Sequence, residues 1–124
     1  MRAARFSWAL AVVPLVLLST TAGAQSLELG RKAFQECIAC HSAEKGVNGV
    51  GPSLAGIVGT KAGDVEGFRF SGPMKRSGIV WTPETLGKFI ADPQAVIPGT
   101  RMPYSGMADA AEREALVNYL GSLR

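Results

Sequence analysis

The 124-residue chain has one histidine, two cysteines and no apolar run long enough to cross a bilayer. A spanning helix needs roughly 20 apolar residues, whereas the greasy stretch over residues 7–18 is shorter and is interrupted by Pro14. One histidine and two cysteines also leave a tetrahedral zinc site, which takes about four ligands, incomplete. No internal repeat, charged tail or low-complexity linker is present, and no segment alternates apolar and polar residues as a half-buried strand would. A phosphate-binding loop is excluded as well. The glycines over residues 56–63 lack the required Gly-Lys spacing, and no strand pattern precedes them.

Strong charge is missing too, once the amino terminus is set apart. Arg2 and Arg5 precede the apolar stretch, and the small residues Ala22-Gly23-Ala24 follow it. That order predicts a secretory signal peptide over residues 1–24, cleaved after Ala24, and a single domain over residues 25–124, with an uncleaved membrane anchor as the rival reading of the leader. The leader takes two of the 13 basic residues, leaving 11 against 10 acids, so the formal charge falls from +3 to +1. A nearly neutral chain gives no footing for nucleic acid. The remaining domain is small and rich in glycine and proline, so something bound inside would help to stabilise it.

Three helices are predicted. The first runs over residues 27–39, with Ser26 as N-cap and Leu27, Phe34 and Ile38 on its apolar side. The second opens at Thr82-Pro83, carries Leu86, Phe89 and Ile90 inward, and stops at Asp92-Pro93. The third opens at Asp109, with Glu112 three residues on, and shows the stripe Leu116, Tyr119, Leu120, Leu123. The glycine-dense stretch over residues 46–78 has no regular pattern, and so long an irregular segment needs a ligand to organise it.

The motif that names such a ligand is Cys37-Ile38-Ala39-Cys40-His41, the C-x-x-C-H signature of covalent haem attachment. Two intervening residues let both sulfurs reach the vinyl groups on one porphyrin edge, and the adjacent histidine turns under the ring to meet iron. A thioredoxin-like redox pair would need a βαβ context, which is absent. A plain disulfide would leave His41 and the glycine-rich stretch unexplained. With no second histidine, the sixth iron ligand falls to a methionine after the leader: Met74, Met102 or Met107. Met102 sits in Ile97-Pro98-Gly99-Thr100-Arg101-Met102-Pro103, where two prolines stiffen the loop.

These motifs, together with Gly51-Pro52-Ser53-Leu54-Ala55-Gly56, Gly67-Phe68 and Ser77-Gly78-Ile79-Val80-Trp81, resemble class I cytochrome c of the mitochondrial and small bacterial periplasmic group. The resemblance implies an all-α cytochrome c fold, with three main helices and long loops wrapped around one haem c held through Cys37 and Cys40. It implies His41 and Met102 as axial ligands and a Pro52 carbonyl orienting His41. It also implies that the first and last helices cross near Gly30 and Tyr119. Ser71 and Trp81 stand as propionate donors. Thr60 replaces a common arginine, and Phe70 and Phe89 replace two tyrosines, so that end of the haem is short of donors. Gln94, Ala95, Glu36 and Asp109 fall where the mitochondrial docking ring is basic, leaving Lys32 and Arg101 as cations.

The function this implies is a monomeric one-electron carrier in the periplasm. It would meet redox proteins such as membrane cytochrome complexes, oxidases or reductases. The alternatives are a haem subunit of a larger oxidoreductase, or a sensor or peroxidase with a labile sixth ligand. A peroxidase would need a distal acid–base residue, and no histidine remains to serve as one. Intact mass of the exported protein should equal residues 25–124 plus one haem. A haem-free chain with a Cys37–Cys40 disulfide would refute the reading.

Overall fold

Two long helices at opposite ends of the sequence pack against each other and fix where everything else goes. The computed structural model describes residues 21–124; most of the expected signal peptide, residues 1–20, lies outside them. Helix α1 covers Thr21–Ala33 and continues as a 3-10 turn over Phe34–Glu36. After the long glycine-rich stretch come the short α2 (Gly72–Arg76), then α3 (Pro83–Ala91), α4 (Pro93–Val96) and α5 (Ala110–Ser122). No strand is present among the described residues, only one isolated antiparallel bridge between Lys61 and Val80. No described helix is long and apolar enough to cross a membrane.

The α1–α5 crossing depends on the absence of a side chain. A Cβ placed on Gly30 would lie 2.6 Å from Tyr119 Cβ and 2.7 Å from the Ala115 carbonyl carbon. Hydrogen at that position lets the two backbones touch. One turn later Phe34 packs on Tyr119, ring centroids 5.5 Å apart. Along α5 the residues Ala115, Leu116, Val117 and Leu120 are buried, and burying one such leucine contributes about 1.5–3 kcal/mol.

Capping explains the later helix boundaries. Thr82 and Thr85 exchange side-chain and backbone bonds at the start of α3, with Pro83 in the first turn. Asp109 Oδ1 accepts from the Glu112 amide at 2.8 Å and opens α5. Asp92 ends α3 through its own amide, which donates to the Lys88 carbonyl. Its carboxylate then accepts from the Ala95 amide and starts α4, so the chain restarts where sequence reading expected a stop. In the same manner Ser71 Oγ accepts from the Met74 amide and opens α2, an element absent from the sequence-based prediction.

The first helix departs most from expectation. It begins upstream of Ser26, which lies inside α1 rather than capping it. Its α-helical part ends at Ala33. The 3-10 turn that follows has about 3.0 residues per turn and shifts the phase of the side chains. Phe34 stays buried, while Leu27 and Ile38 are 41% and 52% exposed, so neither faces the core as predicted.

Gly30→Val forces bulk into the crossing and should destabilise the haem-loaded protein by about 3 kcal/mol, read as a lower guanidinium midpoint. A loss below about 1 kcal/mol would mean the helices can part there without cost.

Candidate functional site

Past the 3-10 turn the chain makes a tight bend in which the Cys40 and His41 amides donate to the Cys37 carbonyl, at 3.1 and 2.9 Å. The bend brings Cys37, Cys40 and His41 to one wall of a cavity of about 580 Å³, within the usual range for small-molecule and cofactor sites. Cys37 and Cys40 are not joined to each other by a disulfide. Burial, with lesser contributions from Glu36 and Cys40, pushes the Cys37 thiol up to about 11. A disulfide oxidoreductase needs the reverse, a thiol depressed into the thiolate form near neutral pH.

His41 is held from two sides. Its Nδ1 donates to the Pro52 carbonyl at 2.7 Å. A carbonyl only accepts, so Nδ1 carries the proton and Nε2 keeps a lone pair for a metal. Burial holds the imidazole below the usual histidine range, opposed in part by the bond to Pro52. Behind the ring, a Cβ on Gly51 would sit 2.7 Å from Nδ1 and 2.8 Å from Nε2. Glycine is thus the residue that leaves room for the imidazole.

Pro52 is in turn fixed by its neighbours. Asn48 accepts from the Ser53 amide at 2.8 Å and donates to the Glu66 carbonyl at 3.0 Å. Ser53 Oγ donates to the Glu44 carbonyl at 2.6 Å. The Gly51 amide donates to the Cys40 carbonyl at 2.8 Å, joining this loop to the cysteine turn.

The rest of the cavity comes from the glycine-rich stretch and the later helices. Trp81 is positioned by a backbone clasp: the Trp81 amide donates to Thr60 at 2.8 Å, and the Gly59 amide donates to Trp81 at 2.7 Å. Its indole lies against Phe89, ring centroids 5.0 Å apart, and both line the cavity. Ser71 lines the cavity as well as capping α2. Phe70 is there too, edge-on to Phe68, but Thr60 spends its hydroxyl on the Ile57 carbonyl and is not part of the wall.

Of the three candidate methionines, Met74 and Met102 line the cavity and Met107 does not. Met107 is buried in the core, its amide bonded to the Ile90 carbonyl. The loop carrying Met102 is clamped on its upstream side. Gln94 donates to the Thr100 carbonyl at 2.9 Å and accepts from the Gly99 amide at 3.2 Å, and Arg101 donates to the Arg69 carbonyl at 2.8 Å. Gly99, at φ +86°, takes a turn that a side chain would strain.

Several residues read from the sequence as docking positions therefore have structural partners. Gln94 clamps a loop, Asp109 caps α5, Arg101 ties two loops, and Glu36 accepts from Tyr104. The Gln94 clamp and the Gly51 cradle escaped the sequence reading. Each arises from a fit between segments that are joined only in the fold.

Two thiols, an oriented imidazole and a mostly apolar enclosure fit a flat tetrapyrrole bonded through both sulfurs, and they define a covalent haem protein of the c type. Residues 27–124 match the family model for cytochrome c. Cytochrome c2 iso-2 of Magnetospirillum fulvum is 53% identical over 91 residues, covering 73% of this chain and 95% of that protein. Cytochrome c2 of Blastochloris viridis is 42% identical over 100 residues, covering 80% of this chain and 79% of that protein. The solved structure of cytochrome cH from Methylobacterium extorquens superposes with a TM-score of 0.74 at 42% identity, covering 77% of this chain and 97% of that one. The chain belongs to the cytochrome c family, as a class I electron carrier rather than an enzyme, with one haem c bound through Cys37 and Cys40.

Gly51→Ala should push the His41 ring off the Pro52 carbonyl, lowering the melting temperature of the haem protein and weakening its low-spin ferric spectrum. Gly87→Ala, in α3 with nothing within 4 Å of the added Cβ, is the control and should stabilise by about 0.5–1 kcal/mol. Equal behaviour of the two variants would remove Gly51 from the site.

Proposed function

We propose that this protein carries single electrons between redox partners in the periplasm, with His41 and Met102 as the two axial ligands of its haem iron. The observation that carries the reading is His41 itself, whose proton is committed to Pro52 and whose Nε2 is left to bind metal. When bound, the haem supplies a one-electron ferric/ferrous couple. A thioether as sixth ligand favours the reduced form and raises the potential.

Met102 is the better candidate of the two cavity-lining methionines. Met74 is held in the core on α2, whereas Met102 is partly buried on a loop whose approach is fixed by Gln94, Thr100 and Arg101. Ser71 and Trp81 supply polar hydrogens for the propionates. The Ser71 hydroxyl oxygen accepts from Met74, which leaves its own proton to donate. Phe70 and Phe89 keep that end apolar, and Arg69 and Arg101 bring positive charge to the cavity. Export rests on the leader pattern over residues 1–24, with residues 25–124 as the working domain.

Partners would be other redox proteins that meet the molecule where the cavity opens. Val50 is 74% exposed and also lines the cavity, a small apolar contact of the kind used in weak, fast-exchanging encounters. The protein is proposed to act as a monomer.

Met102→Ala should abolish the thioether-to-iron band at the red end of the ferric spectrum and lower the reduction potential. Met107→Ala should lose stability by about 2–5 kcal/mol and keep the band. Loss of the band in Met74→Ala and its survival in Met102→Ala would transfer the ligand role to Met74.

A further inference from the structure

Side-chain hydrogen bonds that reach across the sequence among the described residues end mostly on backbone carbonyls, as His41, Asn48 and Arg101 do. Those joining two side chains link positions three or four apart, except one. Tyr104 Oη donates to Glu36 Oε2 at 2.7 Å across 68 positions of sequence. Both residues line the haem cavity. Glu36 closes the 3-10 turn immediately before Cys37, and Tyr104 stands two residues after Met102.

The two sides of Met102 are secured very differently. Upstream, Thr100 bonds to Ile97 and Gln94, Gly99 to Gln94, and Arg101 to Arg69. Downstream, the chain is irregular from Pro103 to the start of α5, and Pro103 has no amide hydrogen to give. Between Met102 and the Met107 amide, which bonds to Ile90, the Tyr104–Glu36 bond is the sole hydrogen bond among the described residues. Packing assists it, because Tyr104 lies against the core and Gly106 runs close to the Ala91 backbone. These contacts are non-directional, whereas the phenol–carboxylate bond, though solvent-exposed, is directional and has a charged acceptor.

We propose that the Tyr104–Glu36 hydrogen bond is a strap that ties the Met102 loop to the cysteine-bearing turn and keeps the sixth iron position closed to outside ligands. Tyr104 and Glu36 are positioning residues here, acting through Met102, so the inference rests on Met102 as axial ligand. With the strap cut, the downstream half of the loop lifts more often and Met102 leaves iron more often. A small external ligand then competes more effectively for the vacated position. The gain in its apparent affinity equals the gain in the open population.

The test measures imidazole affinity of the ferric haem protein in Tyr104→Phe, Glu36→Ala, the double variant and Glu36→Gln. Tyr104→Phe keeps the ring and its packing and removes only the hydroxyl. It should bind imidazole about tenfold more tightly, the weight of one hydrogen bond to a charged group. Glu36→Ala should match it, and the double variant should add little to either, because both remove one bond. Glu36→Gln retains an acceptor oxygen and should fall between the native protein and Glu36→Ala. An affinity in Tyr104→Phe within about twofold of native, or single effects that multiply in the double variant, would overturn the strap. Failure of the ligand assignment is read separately, from the thioether-to-iron band in Met102→Ala. If that band is lost while Tyr104→Phe binds imidazole as the native protein does, Met102 stands and the strap falls.

Discussion

The bond from His41 Nδ1 to the Pro52 carbonyl is the constraint on which the site depends. It fixes the tautomer, aims Nε2 and joins the cysteine turn to the loop that follows. A covalently tethered ligand residue could still point the wrong way, because the imidazole turns about two side-chain bonds. Pro52, with no amide hydrogen of its own, gives that loop only an acceptor at this point, and Gly51 beside it leaves space for the ring. Asn48 and Ser53 then hold Pro52 from behind, as outer partners of metal-ligating histidines generally do. The order of dependence runs from a backbone turn to a hydrogen bond, and from the hydrogen bond to a usable lone pair.

The same logic accounts for how little regular structure surrounds the cavity. Helices α1 and α5 meet at Gly30 and make a rigid corner, and α3 supplies Leu86, Phe89 and Ile90 from one face. Most of the remaining wall is loop, held by short backbone clasps such as the pair between residues 59–60 and Trp81. Loops this long are uncommon in a small domain unless they are built around a function. Apolar side chains from many such segments converge on a volume that the protein alone does not fill. The haem is therefore part of the core as well as the redox centre.

Much of this was legible in the sequence, and the parts that were not share a cause. Thr82-Pro83 and Asp109 were readable because capping is local chemistry with fixed offsets. The C-x-x-C-H motif was readable because one porphyrin edge dictates its spacing. The Gly30–Tyr119 crossing came from resemblance, and the structure places it there. Ile38 was misjudged because a tightened turn changes the angular step between side chains, and periodicity assumes one constant step. Helices α2 and α4 were missed because a helix of four or five residues is too short to show a stripe. The Gln94 clamp and the Tyr104–Glu36 bond had no local signature. Gln94 and Glu36 were read as charge changes on a docking ring, yet their partners are set by the fold.

The proposed function requires that an enclosed haem, coordinated on both sides by protein, exchange one electron without changing its ligands. Spectroscopic redox titration of the purified protein tests it most directly. A single wave with one-electron slope, low-spin in both the ferric and ferrous forms, is expected. A high-spin ferric spectrum, or a two-electron slope belonging to the Cys37–Cys40 dithiol, would contradict it.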